Sequence, residues 1–174
     1  VLYEQKIERQ ITCFNASDVS DLGVVTCGVA FKKSYDTSTH MNEAHGSMYE
    51  DLLASYCLYG THHMLIRRDV IETIRFDEDL RSSQEYDLII RIAEQYGFDS
   101  VPEVLCEQRQ SADQISTDYE RKLDGARELW SKHNERFWSH SKSCWAYNQL
   151  RFSYLLVKFW LGHQLNIPVN HVLP

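Results

Sequence analysis

The 174 residues suffice for one domain with a real core and fall short of two large ones. A net charge of −7 opposes nucleic-acid binding, since phosphate recognition needs a basic surface, and 43% hydrophobic with 25% charged residues is the balance of a soluble globular chain. Five cysteines, Cys13, Cys27, Cys57, Cys106 and Cys144, are odd in number, widely spaced and without a Cys-x-x-Cys, which argues for buried or free thiols in a reducing compartment over a disulfide framework or zinc site.

In chain order, LYEQKIERQITCF (2–14) has Leu2, Ile7, Ile11 and Phe14 at helical spacing and predicts a helix. The N-terminal VLYEQKIERQ lacks the basic and apolar regions of a signal peptide. NASDVSD is a loop, and LGVVTCGVAF (22–31) is β-rich, apolar and predicts a buried strand. From Lys32 to Ser47 the chain is polar and aperiodic, which predicts a long loop or insertion. MYEDLLASY predicts a short helix and THHMLIR (61–67) a second strand. DVIETIR follows as a short helix with Asp69 and Glu72 at capping-box spacing, and RFDEDLR is a turn that Asp77 is expected to cap.

SSQEYDLIIRIAEQYG (82–97) predicts an amphipathic helix ended by Gly97 at a C′-like position. FDSVPEVLCEQRQ predicts one or two strands, with Pro102 confining pairing near that point. Two helices, about Asp118–Phe137 and Cys144–Leu165, close the chain before Pro168 and Pro174. No run of about 18 apolar residues is present to span a membrane. The order is that of an α/β fold with a helical extension.

One position breaks the pattern. At about 100° per residue, Glu85 falls on the apolar stripe of Ile89, Ile92 and Tyr96, while Asp87, Arg91 and Glu94 share a polar stripe. Ser82-Ser83-Gln84-Glu85 is also a capping box, in which Glu85 would only accept from the Ser82 amide. Asp87 and Arg91, four apart, are expected to form a solvated or half-buried ion pair. His62 and His63 are adjacent, so on a strand they point to opposite faces and cannot form a joint metal site. His40, Glu43 and His45 lack the His-Glu-x-x-His spacing of a zinc helix.

Three pieces stand in fixed order over residues 61–116: Ile66-Arg67-Arg68 before Phe76-Asp77-Glu78, then Gln84-Glu85-Tyr86-Asp87-Leu88 with Arg91, then Val101-Pro102-Glu103-Val104-Leu105. Together they resemble the second half of the catalytic domain of family 2 glycosyltransferases, of the GT-A type. LYEQKIERQITCF and LGVVTCGVAF are similar to the helix and strand that, in that family, follow the metal-binding Asp-x-Asp motif. The resemblance implies residues 1–116 as the C-terminal part of a GT-A-like domain with a mixed sheet and flanking helices, and 117–174 as a helical extension. It implies sugar transfer from a nucleotide-sugar donor to a hydroxyl on a glycan or lipid-linked acceptor, as in polysaccharide, lipopolysaccharide or glycoconjugate synthesis.

Glu85 aligns with the family's general base and Gln84 with the acid before it, where the commoner pair is Glu-Asp. Arg75 stands where the family has Gly. The base role competes with the capping box. His62 and His63 lie on the strand beside the acceptor cleft, or are simply packed. Arg109 either meets the donor diphosphate or is a surface arginine; within CEQRQSADQIS no His follows it to ligate a metal. The divalent metal, Mg or Mn, and the nucleotide belong to a half of the enzyme not expected in this chain, which then reads as a fragment whose activity alone stays open. The competing function is a non-catalytic interaction module on the same scaffold.

The last helix is strongly apolar, with Arg151, Lys158 and Gly162 on one narrow face. It packs on the domain or on a partner, lies on a membrane surface, or drives a homodimer. The expected location is cytoplasmic, with the inner face of the membrane as the peripheral alternative.

Overall fold

The computed structural model describes residues 1–32, 36–55, 57–58, 60–109 and 118–165. The chain forms two compact units, Val1–Arg75 with Leu88–Ser111, and Phe76–Asp87 with Ala112–Pro174. The division expected at 116/117 lies outside the described residues. It also does not anticipate that Phe76–Asp87 groups with the C-terminal helices.

The first unit is mixed α/β. Its elements are α1 (Lys6–Ala16), β1 (Leu22–Lys32), β2 (Thr37–His40), α2 (Tyr49–Ala54), β3 (Leu65–Ile66), α3 (Arg68–Thr73) and β4 (Gly97–Arg109), with the last turns of α4 (Gln84–Ala93). β1 is the centre of the sheet. It pairs in parallel with β4 along one edge, and antiparallel with β3 at its start and β2 at its end along the other. Leu22–Ala30 are all buried, as a strand covered on both faces requires. Leu22, Val25, Cys27, Val29, Val101, Leu105 and Cys106 form a core against which Cys13 and Phe14 of α1 pack. The loop after β2 is tied to β1 where Thr26 Oγ1 donates to the Asn42 carbonyl and Asn42 Nδ2 to the Cys27 carbonyl. The β1–β4 register jumps from Cys27↔Val101 to Gly28↔Val104, so pairing breaks at Pro102, where the missing N–H predicts it.

Several expectations are corrected. α1 buries Lys6 and Gln10 and exposes Ile7 and Ile11, because Gln10 supplies hydrogen bonds that two core carbonyls need. Residues 37–40, expected as loop, form the polar edge strand β2; 33–35 lie outside the described residues. The strand expected at 61–67 shrinks to Leu65–Ile66, and His62 and His63 sit in the turn before it, where Met64 N donates to the Thr61 carbonyl. Asp69 makes no capping box: Arg67 holds its carboxylate through two hydrogen bonds of 2.7 and 3.0 Å. Gly97 opens β4 instead of closing α4, and a side chain there would run into Val19.

The second unit is a helical hairpin, α5 (Tyr119–His140) and α6 (Lys142–Leu165), with the segment Phe76–Asp87 on it. Trp138 meets Trp145 beside the Ser141 connection and Tyr119 meets Phe159 at the far end, so the helices run antiparallel. Trp130, Phe137 and Phe152 fill the space between them, with ring centroids 5.5 to 6.2 Å apart. Asn148, Phe152 and Gly162 face inward; Tyr147, Leu150, Tyr154, Val157, Trp160 and Leu161 are exposed.

Candidate functional site

The helix α4 begins at a strained turn. Ser83 has φ 63°, in the left-handed region, which costs a non-glycine residue about 1–2 kcal/mol. Its carbonyl accepts from the amides of Tyr86 (3.0 Å) and Asp87 (3.1 Å), and this starts the helix. Glu85 therefore does not fold back on Ser82: the capping box in the sequence is not formed, and among the described residues the half-buried Glu85 carboxylate has no hydrogen-bond or ion-pair partner. Gln84 Nε2 donates to the Leu80 carbonyl at 2.7 Å, and Gln84 borders a recess of about 510 Å³ lined also by Glu78, Leu80, Arg81 and Arg121.

The segment before Glu85 is held by one face of α5. Lys132 Nζ bonds Asp77 and lies 2.8 Å from Asp87 Oδ1, which His133 Nε2 also meets at 2.8 Å. Arg81 gives its amide to Glu128 and its guanidinium to Asp124, both at 3.1 Å. Asp124, Glu128 and Lys132 follow one another at four-residue spacing, as do Gly125 and His133 about Leu129, so one helical face makes all these contacts. A Cβ on Gly125 would lie 2.9 Å from the Ser82 carbonyl oxygen, so a bare backbone lets the strained turn approach. Asp77 also accepts from the Asp79 amide, the turn-capping expected of it, and Lys132 first and that amide second hold its carboxyl below the usual range. Asp87, expected to be solvated or half-buried, is fully buried, as is His133.

Lys132, His133 and Gly125 do not stand out as site residues in the sequence. One signal existed for His133, which stands on the stripe of Leu129 and Phe137, four residues from each. Nothing local marks its partner, 46 residues away.

His62, His63 and Arg109 belong to the first unit. The two rings lie edge to face, centroids 6.0 Å apart. His63 is fully buried, and its ring nitrogens find no partner of ordinary geometry. Burial first, then the charges of His62, Lys6 and His40, push it down to about 3, with only a weak opposing pull from the Gly60 backbone. Its carbonyl accepts from Gln10 Nε2 at 2.9 Å, and Gln10 Oε1 accepts from buried Lys6 at 2.6 Å. His63 is thus a packed residue, whereas His62 is half-buried and also lowered by burial. Arg109 donates to Glu107 Oε1 at 2.7 Å, and Lys32 bonds the other oxygen at 2.6 Å, so Arg109 shares its charge with a buried carboxylate. Gln110 lies outside the described residues.

Among the described residues no three His, Cys, Asp or Glu side chains converge to hold an ion. A recess of about 420 Å³ in the first unit is walled by Asp18, Asp21 and Glu94 beside His45, a charge that repels phosphate. Among the described residues no helix is long and apolar enough to cross a membrane. Comparisons with models of known families, with curated proteins and with solved structures find no match.

Proposed function

We propose that this chain is the acceptor-side part of a GT-A-like glycosyltransferase, moving a sugar from a nucleotide-sugar to a hydroxyl acceptor with Glu85 as general base. The carrying observation is a half-buried carboxylate without partners among the described residues, at the head of a helix and next to a strained serine. Carboxylates in folded chains are usually capped or paired when partly buried, and strain collects at working sites. The succession β3, α3, the Asp77 turn, α4 and β4, with β3 antiparallel and β4 parallel to β1, is in keeping with the resemblance.

In this reading Glu85 takes the proton from the acceptor hydroxyl as its oxygen attacks the anomeric carbon and the nucleotide leaves with the glycosidic electron pair. Gln84 orients the acceptor from the neighbouring recess.

The test is transfer from a panel of nucleotide-sugars with this sequence in its full natural context. Glu85→Gln should reduce transfer by about 10²-fold or more, while leaving donor binding unchanged. Retained turnover would remove Glu85 from the base role, and absence of any transfer or donor binding would favour the interaction-module reading.

α6 adds a peripheral membrane contact to the proposal. It has no acidic residue, carries Lys142, Arg151 and Lys158, and turns Tyr147, Leu150, Tyr154, Val157, Trp160 and Leu161 outward. Aromatic and aliphatic side chains flanked by cations suit the interface of an anionic bilayer. The location that follows is the inner face of a membrane, close to a lipid-linked acceptor.

A further inference from the structure

We propose that Lys132 and His133 are positioning residues for Glu85: by holding the Asp87 carboxylate, they fix the first turn of α4 and so aim the Glu85 side chain. This rests on the reading of Glu85 as base, and it assigns a role to α5 beyond that of a helical extension. Glu85 makes no bond of its own among the described residues, so its direction comes from the backbone that carries it. That backbone follows a serine in an unfavourable conformation, which persists only where surrounding structure over-determines it.

The over-determination comes from α5. Asp87, two residues past Glu85 in the same turn, accepts from Lys132 and His133 on one oxygen, both at 2.8 Å. Asp77, at the other end of the segment, is bonded to the same Lys132. Arg81 between them is fastened to Asp124 and Glu128, and Gly125 receives Ser82. Because His133 Nε2 faces a carboxylate, it is the ring nitrogen that donates, and the buried Nδ1 has no hydrogen-bond partner among the described residues. On the opposite side, the Tyr86 ring is covered by the Arg151 guanidinium, 5.3 Å from its centroid.

The experiment is amide hydrogen exchange on the whole chain, read at Tyr86 and Asp87, whose N–H groups bond the Ser83 carbonyl. His133→Phe and Lys132→Met should each speed exchange at these two amides tenfold or more, with exchange in the middle of α5 and α6 changed less than twofold. His133→Gln, which can present an N–H near the old Nε2 position, should restore protection to within threefold of the parent. Unchanged protection at Tyr86 and Asp87 in both disruptive variants overturns the proposal. So does failure of His133→Gln to restore it, or a loss of protection spread evenly over α5 and α6, which would reduce the pair to core packing. Turnover retained in Glu85→Gln would instead sink the base role and leave this exchange pattern as it is, so the two failures are distinguishable.

Discussion

His63 shows how burial alone can make a residue look functional. Its imidazole is sealed in the core beside Gln10 and Lys6, and its charged form is disfavoured, with a folded value of about 3 against an ordinary 6.5. The unfolded chain therefore binds a proton that the folded chain refuses. Its contribution to stability is complete above pH 6.5 and is lost as pH falls from there towards 3, at about 1.4 kcal/mol per pH unit. His62 is shifted in the same direction. Urea unfolding between pH 6.5 and 5 should show this slope in the parent and a shallower one in His63→Leu; parallel slopes would mean the ring is already protonated in the fold. Glu85 presents the opposite case. Its sequence context offers a complete local explanation, the capping box, and the structure declines it because Ser83 turns left-handed. Both residues were legible as anomalies in the sequence. Neither environment was, because each depends on side chains distant in the chain.

At the scale of elements, legibility followed length and periodicity. β1, α5 and α6 are read within a few residues of their observed ends, because β1 is apolar and buried almost throughout, α5 carries an apolar stripe, and α6 is a long run without a proline. Short or polar elements fail: β2 is a polar edge strand whose exposed side chains carry no alternation signal, and β3 is two residues set by its pairing with Val24 and Val25. α1 fails differently, with the element correct and the face inverted, since hydropathy cannot anticipate Gln10 satisfying the carbonyls of Val25 and His63. For α5, the decisive position is its glycine. Gly125→Ala would force the Ser82 backbone away and should destabilise the second unit by about 1–3 kcal/mol, the usual cost of overpacking. Thermal unfolding followed through the Trp130–Trp145 cluster measures it. A neutral or stabilising alanine, the ordinary result in an exposed helix, would show that the turn does not press on α5.

For the whole molecule, charge decides between the surfaces α6 could meet. A chain of net charge −7 is repelled by an anionic bilayer, so contact depends on the local cations of α6 exceeding that repulsion within about 8 Å at physiological salt. Sedimentation with vesicles of phosphatidylcholine and phosphatidylglycerol should carry the chain down, weaken at high salt, and be lost in Lys158→Glu. Binding indifferent to salt and to that substitution, or none at all, would remove the membrane contact; a concentration-dependent dimer blocked by Leu150→Asp would replace it. The interleaving of the two units along the chain was beyond the sequence. Phe76–Asp87 lies between stretches of the first unit yet finds its hydrogen-bond partners on α5.

That arrangement imposes an order in time. On the ribosome, Glu85 and the turn that carries it emerge before Lys132 and His133 exist. At about 5–20 residues per second, the 46 residues from Asp87 to His133 take roughly 2–9 s to make. During that interval β1, β2 and β3 can pair and β4 can join them once it is made, while the strained serine lacks its partners on α5. The candidate base is thus among the last groups to acquire its position, and a nascent chain carries the carboxylate well before it can be aimed at a substrate.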